Sequence, residues 1–194
     1  MSQAYYRITC QVITIISIMI LFVGCNNPQE QIMDNISRMR NMRVIVPYEK
    51  LLLYKGHYTC CDYSISDSFT LIAYIDSNEC SPCYLGRIQQ WEPLIDTLRN
   101  KYHSIRTTII FAPPKVTQQY FFEKLKYTKF KYPIYIDTCG IFSEANKSLP
   151  TDKMYHTFLL DESRQVILVG NPFINSRIKN LLLEILSRNK TKYS

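Results

Sequence analysis

The sequence contains little glycine, little proline and few histidines, and these shortages exclude several classes of protein. Five glycines and nine prolines among 194 residues rule out a collagen-like or low-complexity chain. No glycine-rich phosphate loop, acid-pair motif or internal repeat is visible, and three histidines leave little for a large metal centre. Hydrophobic residues make up 46% and charged residues 20% of the chain, which are the proportions of a globular protein of about one domain.

Charge is also scarce at the N-terminus, where Arg7 is the only charged residue of the first 24. A mostly apolar run of 12 residues, Val12–Val23, follows it. The apolar region of a secretory signal has about 7–15 residues, whereas a membrane-spanning helix needs about 20. We therefore interpret residues 1–24 as a signal peptide, with an uncleaved short anchor helix as the alternative.

The apolar run ends in Leu21–Cys25, LFVGC, which resembles the lipobox of bacterial lipoproteins, although Phe22 departs from the usual aliphatic residue. The resemblance implies cleavage before Cys25 and lipid attachment to its sulfur, and two or more acyl chains are enough for stable membrane anchoring. Asn26, with no acidic run after it, favours an anchor that faces the periplasm on the outer membrane. Cys10 leaves with the signal peptide, and the compartment permits disulfides.

The anchored segment, residues 25–67, is predicted to contain one short amphipathic helix over 28–42. Asn27 is a suitable cap and Pro28 suits the first helical position. A brief strand over 43–46 and a loop complete the segment. The working domain is expected over 68–188, and a basic tail follows over 189–194.

From residue 68 onward, apolar runs alternate with helical patterns. Phe69–Asp76 and Ile105–Phe111 are near-continuous apolar runs, typical of strands buried on both faces. Helices are predicted over 81–99, 115–129, 141–148 and from Asn171 onward, and further strands over 132–137, 155–161 and 165–170. This order predicts an α/β fold with a largely parallel sheet, helices on both faces and a final antiparallel hairpin.

The helix faces can also be predicted from the spacing of apolar residues. The predicted inner face of helix 81–99 contains Leu85, Ile88, Trp91, Ile95 and Leu98. The predicted inner face of the last helix contains Ile174, Ile178, Leu181, Leu182 and Ile185.

Cys80-Ser81-Pro82-Cys83 lies just after the first buried strand, at the start of its helix. Unpaired backbone N–H groups at a helix N-terminus stabilise a thiolate, and Pro82 suits the first helical turn. The expected chemistry is disulfide exchange, with Cys80 as nucleophile and Cys83 as resolving thiol. Asp76 and Glu79 disfavour a thiolate at Cys80, whereas Arg87 favours one, so we expect a mildly tuned thiol nearer a reductase than a strong oxidase.

A C-x-x-C motif in this position resembles the thioredoxin superfamily, and most of all its membrane-anchored, extracytoplasmic thiol–disulfide oxidoreductases. The resemblance covers residues 68–188 and rests on Tyr74–Cys83, Pro133–Asp137 and Thr157–Asp161. It implies a thioredoxin-like three-layer sandwich with a mixed sheet, a protein dithiol or disulfide as substrate, and a redox partner. No cofactor, metal or nucleic acid is expected.

Two positions depart from that family. Tyr155 occupies the place of the family's cis-proline, which faces the two cysteines and shapes the substrate groove, so Tyr155 joins Ser81 and Pro82 as an expected supporting residue. The family commonly has a proline five residues after the second cysteine. Ile88 occupies that position here, and the next proline is Pro93.

Two alternatives remain open for the motif. Cys80 and Cys83 could form a structural disulfide in a non-catalytic interaction lipoprotein. They could instead bind Cu⁺ together with His156, as in copper-delivery relatives of this fold, because soft thiolates suit that ion.

The remaining cysteines have open assignments. Cys60 and Cys61 are adjacent, so a bond between them would be strained. Cys139 follows a strand expected to end at the same sheet edge as Cys80; it could be a third redox thiol, a partner of Cys60 or Cys61, or a small buried hydrophobe.

The net charge of +7 has one conspicuous source. Lysines at positions 115, 124, 126, 129 and 131 alternate with Tyr120, Tyr127 and Tyr132. A lipid-anchored protein outside the cytoplasm seldom meets nucleic acid, so a solvated helix face is the preferred interpretation.

Overall fold

A computed structural model of the chain describes Arg7 and residues 28–54, 68–102 and 104–190. The predictions for the rest of the signal peptide, for Cys25 and for Cys60 and Cys61 lie outside the described residues. The chain divides into two compact units, residues 1–35 and 36–194, and the second contains the sheet. The bounds 25–67, 68–188 and 189–194 given to the parts of the chain stay a prediction.

Six helices and six strands follow one another in the described residues. The helices are α1 (Pro28–Arg40), α2 (Ser81–Leu85), α3 (Glu92–Lys101), α4 (Gln118–Lys126), α5 (Ile141–Ala145) and α6 (Ser176–Lys190). The strands are β1 (Leu52–Tyr54), β2 (Phe69–Ile75), β3 (Ile105–Phe111), β4 (Ile134–Ile136), β5 (Thr157–Leu160) and β6 (Val166–Val169). Short 3₁₀ turns lie at Tyr48–Lys50, Ile88–Trp91, Lys115–Thr117 and Lys153–Tyr155.

The strands form one mixed sheet in the order β1-β4-β3-β2-β5-β6. Strands β2, β3 and β4 are parallel, whereas β1, β5 and β6 each run antiparallel to the neighbour they pair with. Every residue of β2 is buried, as its continuous apolar run predicted.

Helices cover both faces of the sheet. On one face, Ala73 and Ile75 of β2 belong to a cluster with Trp91 and with Phe121 of α4. On the other face, Ile72 and Tyr74 belong to a cluster with Met39 and Phe142, from the end of α1 and from α5. The predicted α/β class, with a mixed sheet between two helical layers, is confirmed.

The predicted helix 81–99 is interrupted, although its five inner-face residues are all buried as expected. Helix α2 ends at Leu85, with Gly86 as its C-terminal cap, and a 3₁₀ turn leads into α3. Pro93 lies in the first turn of α3, where its missing N–H leaves no hydrogen bond unmade. The helical spacing of apolar residues continues across this break because α2 and α3 both turn their apolar residues toward the sheet.

Two further predictions of local structure were wrong. Residues 43–46 form no strand, since only an isolated bridge joins Arg43 to Gln165. The strand of this region is β1, which pairs with β4 through Leu52 and Ile136 at the sheet edge. Its residues are partly exposed, so they lack the apolar alternation that marks a strand in a sequence.

The predicted inner face of the last helix was also displaced. Leu182 and Leu186 are its buried residues, in a cluster with Leu71 and Leu98. Ile174 is 81% exposed, because α6 begins only at Ser176. No helix among the described residues has the length and apolar content needed to cross a membrane.

Candidate functional site

The two cysteines of the C-x-x-C motif lie at the carboxyl end of the central strand. Strand β2 ends at Ile75, and a tight turn follows in which the amide of Glu79 donates to the carbonyl of Asp76 at 3.1 Å. Cys80 is then the N-cap of α2. Because β2, β3 and β4 are parallel, the loops after all three strands lie at this edge, where ligand sites of α/β sheets collect.

Cys80 and Cys83 form a disulfide, with 5.2 Å between their Cα atoms. The amides of Cys83 and Tyr84 both donate to the carbonyl of Cys80, at 2.9 and 3.1 Å, so the first helical turn holds the two cysteines together. Pro82 lies in that first turn. Both cysteines are exposed, whereas Ser81 between them is fully buried and its hydroxyl makes no hydrogen bond to the described residues.

An open groove of about 900 Å³ runs beside the disulfide. Its near wall contains Cys80, Pro82 and Cys83, and its far wall comes from residues 117–129, which include α4 and residues on both sides of it. The polar and aromatic residues of the far wall are Thr117, Tyr120, Lys124, Tyr127, Thr128 and Lys129. Lys124, Lys126 and Lys129 of the lysine-rich segment are all exposed, and Lys124 and Lys129 also line the groove whereas Lys126 does not.

A second group of side chains lies behind the motif. The imidazole Nδ1 of His156 is 3.8 Å from Oδ2 of Asp76 and 3.8 Å from Oε1 of Glu79. Its Nε2 is 2.8 Å from the carbonyl of Pro150 and donates to it. We call Asp76, Glu79 and His156 the acid–histidine cluster.

The acid–histidine cluster is buried and electrostatically coupled. Burial opposes protonation of His156, but Glu79, the Pro150 carbonyl and Asp76 together raise its pKa above the usual value. Burial likewise opposes ionisation of Glu79, but His156 and the hydroxyl of Tyr84 lower its pKa. Burial and the neighbouring Glu79 raise the pKa of Tyr84 to about 12.

The structure places Tyr155 away from the groove. Its side chain is 3% exposed and packs in the cluster that contains Tyr74 and Phe142, so it does not line the groove beside the disulfide. The next residue, His156, reaches toward the motif instead. Because the 3₁₀ turn Lys153–Tyr155 leads into β5, consecutive residues there point to different sides of the chain.

Cys139 lies at the expected sheet edge, in the loop after β4. It is exposed and free, so the interpretation as a small buried hydrophobe was wrong. The loop is held by Asp137, whose carboxylate accepts from the amides of Cys139, Ile141 and Phe142 at 3.2, 2.9 and 2.8 Å.

The acid–histidine cluster is the part of the site that the sequence interpretation missed. Asp76 and Glu79 were considered for their charge and His156 as a partner of the cysteines. Among the described residues, the cluster is the one set of three or more such side chains with ligand atoms within 4.8 Å of one another, and neither cysteine belongs to it. The signal was Asp-x-x-Glu before Cys80, together with a histidine directly before the β5 run.

The strand order and the position of the disulfide define the fold family. Strands β2, β3 and β4 are parallel, the C-x-x-C motif follows β2, and an antiparallel hairpin and a closing helix complete the thioredoxin-like arrangement. The chain therefore has a thioredoxin-like α/β fold, as its motifs indicated.

Comparison with solved structures finds weak similarity to several proteins. The thioredoxin domain of a thiol-disulfide oxidoreductase from Bacteroides vulgatus is 9% identical, with 73% of this chain and 99% of that chain covered at a TM-score of 0.45. A thioredoxin-like protein from Porphyromonas gingivalis is 16% identical, covering 75% and 92% at a TM-score of 0.43. Yeast Sco1 with copper bound is 17% identical, covering 62% and 80% at a TM-score of 0.39. No family model and no curated protein matches the sequence.

Proposed function

We propose that this protein is an extracytoplasmic thiol–disulfide oxidoreductase, held on the membrane by lipid on Cys25, that exchanges disulfides with a protein substrate through Cys80 and Cys83. The observation that carries the proposal is an exposed Cys80–Cys83 disulfide at the carboxyl edge of the central strand, beside an open groove. A disulfide that only stabilised the fold would have no need of exposure next to a groove.

The exchange moves two electrons between the two sulfur atoms of the protein and the two sulfur atoms of the substrate. In the reduced protein, the thiolate of Cys80 attacks a substrate disulfide, so that one Cys80–substrate bond forms and one substrate thiolate leaves. The thiolate of Cys83 then attacks Sγ of Cys80, which restores the Cys80–Cys83 disulfide and releases the second substrate thiolate. Substrate gains two electrons, the protein loses two, and the reverse sequence oxidises a substrate dithiol.

Position within α2 supports Cys80 as the nucleophile. Cys80 is the N-cap residue and precedes every N–H of the first turn, whereas the amide of Cys83 is already used by the carbonyl of Cys80. The amides of Ser81, Cys83 and Tyr84 all donate to backbone carbonyls, so it is the positive end of the α2 dipole that favours a thiolate at Cys80. The substrate would lie in the groove, where exposed Tyr120 and Tyr127 offer apolar contact and Lys124 and Lys129 offer positive charge.

Thiol trapping tests this function directly. We expect the Cys83→Ala protein to accumulate a mixed disulfide with a substrate, since its Cys80 can attack but cannot be released by a resolving thiol. The Cys80→Ala protein should trap nothing, and Cys139→Ala is the matched control that removes an exposed thiol outside the motif. Equal reduction of insulin by the wild type and by Cys80→Ala would refute catalysis.

A non-catalytic interaction module is the second candidate, and the position of Tyr155 favours it. In the family, a proline at this position shapes the substrate groove, whereas Tyr155 is buried in the core. The reduction potential of the Cys80/Cys83 pair separates the two candidates, since a value below about −300 mV is typical of a structural disulfide. The copper alternative has less support, because the disulfide offers no thiolate and Nδ1 of His156 faces two carboxylates.

Lipid anchoring has its own test. We expect Cys25→Ser to abolish incorporation of labelled palmitate and to release the mature domain from the membrane fraction. Retention of both in the variant would contradict anchoring through Cys25. The exchange activity of the purified domain should not change, so the two parts of the proposal are tested separately.

A further inference from the structure

The acid–histidine cluster is assembled by two neighbouring strands that lie far apart in sequence. Asp76 and Glu79 lie on the turn after β2, and His156 lies directly before β5. The two strands pair antiparallel, and the amide of Tyr74 donates to the carbonyl of His156 at 2.9 Å. The backbone of the sheet therefore fixes the histidine beside the two acids.

The distances within the cluster are those of ligands around a common ion. Nδ1 of His156 lies 3.8 Å from each facing carboxylate oxygen, which is too long for a hydrogen bond. Two ligands bound to Zn²⁺ at about 2.0–2.2 Å lie about 3.4 Å apart at the tetrahedral angle, and about 3.8 Å apart when that angle opens to roughly 130°. The gap between the three atoms thus has room for a cation of this size.

Contacts outside the cluster orient its ligand atoms. Because Nε2 of His156 donates to the carbonyl of Pro150, Nδ1 of the neutral ring carries a lone pair directed at the carboxylates. The backbone amide of Asn78 donates to Oδ1 of Asp76 at 2.7 Å, and the Asn78 side-chain amide donates to Oδ2 at 3.4 Å, so both contacts hold the carboxylate with Oδ2 facing the histidine. A lone pair facing two anionic oxygens is repulsive, and this repulsion is relieved by a proton on Nδ1, which the raised pKa of His156 favours, or by a metal ion that replaces that proton.

Burial increases the free-energy cost of leaving the two carboxylates without a nearby positive charge. The side chains of His156, Glu79 and Asp76 are 4%, 8% and 12% exposed. Nδ1 of His156 makes no hydrogen bond in the part of the chain that the structure describes. In that part, no lysine or arginine forms an ion pair with either carboxylate, although two buried anions without a counter-charge are unfavourable.

We infer that Asp76, Glu79 and His156 bind one divalent transition-metal ion of the Zn²⁺ class through Oδ2, Oε1 and Nδ1. One imidazole nitrogen and two carboxylate oxygens suit Zn²⁺, whereas Cu⁺ prefers sulfur. The ion neutralises both carboxylates and leaves the Cys80–Cys83 disulfide outside its ligand set. The inference does not depend on the proposed exchange activity.

Zn²⁺ titration of the oxidised, chelator-stripped protein tests this site. Calorimetry should show one saturable site, and the isosteric variants Asp76→Asn and Glu79→Gln should each weaken binding by at least 10-fold. Asp152→Asn is the matched control, since Asp152 is an exposed acid three residues before Tyr155 that caps the adjacent turn. A Cys80→Ser/Cys83→Ser protein should bind Zn²⁺ as the wild type does.

Spectroscopy identifies the ligands independently of affinity. Zn K-edge absorption of the complex should show nitrogen and oxygen neighbours at about 2.0–2.1 Å and no sulfur. Circular dichroism of each variant verifies that weaker binding does not reflect unfolding. Three results would each overturn the inference: no saturable site in the folded wild type, a zinc–sulfur shell, or undiminished binding by Glu79→Gln. The first of these would leave a protonated His156 as the charge that neutralises the two acids.

Discussion

Nδ1 of His156 lies 3.8 Å from Oε1 of Glu79, and Glu79 is the residue directly before Cys80. A single peptide bond therefore joins the buried acid–histidine cluster to the exposed disulfide. Any change in the charge of Glu79 is a change in the electrostatic environment of the candidate nucleophile, because the carboxylate is only 8% exposed and weakly screened by water.

This relationship predicts the effect of Glu79→Gln on the redox potential. Removing a buried negative charge next to Cys80 should stabilise the thiolate of the reduced protein and raise the potential of the Cys80/Cys83 pair by about 10–30 mV. Equilibration with glutathione in the presence of a chelator measures it. Glu123→Gln, an exposed acid on α4, should leave the potential unchanged, and a lower potential for Glu79→Gln would contradict the argument.

The groove predicts a preference for acidic substrates. Lys124→Glu and Lys129→Glu should lower kcat/KM for a disulfide peptide with acidic flanks by about 3–10-fold and should affect a neutral peptide less. Lys126→Glu makes the same charge change on the same helix but outside the groove, and should behave as the wild type. Equal losses in all three variants would indicate a general charge effect and refute substrate contact in this groove.

Tyr155 should tolerate neither truncation nor the proline that its family relatives carry. Its side chain is buried, and its amide donates to the carbonyl of Asp152 at 3.0 Å. We expect Tyr155→Ala to lower the free energy of unfolding by about 3–5 kcal/mol, and Tyr155→Pro to cost at least as much because it also removes that donor. Urea denaturation measures both, and unchanged stability of Tyr155→Pro would place the residue outside the core.

The Tyr132 hydroxyl donates to Asp96, and burial together with that carboxylate raises the pKa of Tyr132. A group whose pKa is raised by folding contributes stability that is present below its unfolded pKa of about 10 and is lost as the pH rises further. Tyr132→Phe should therefore be about 1–2 kcal/mol less stable at pH 8. The difference from wild type should shrink above pH 10, and a difference that grew with pH would contradict the assignment.

Local features of the sequence were sufficient for much of the fold. A near-continuous apolar run identified β2, and the spacing of Leu85, Ile88 and Trp91 identified a buried helical face, because burial and periodicity are properties of neighbouring residues. The position of Cys80 and Cys83 after a buried strand identified the candidate redox motif for the same reason. These elements together were enough to predict the α/β class.

Other features depend on residues that are distant in sequence. Strand β1 exists because β4 offers it an edge, and Leu182 rather than Leu181 is buried because of where α6 lies against the sheet. Neither the pairing of β1 nor the burial of Leu182 leaves a distinct local pattern, because a buried leucine and an exposed leucine look the same in a sequence.

The sequence by itself determined the class of fold, the C-x-x-C motif and the apolar faces that build the core. Only the tertiary structure decided that His156 meets Asp76 and Glu79, that Tyr155 is buried, and that Lys124 and Lys129 line the groove. The physical reason is that composition and periodicity encode which residues leave water, whereas strand pairing decides which side chains meet once they have done so.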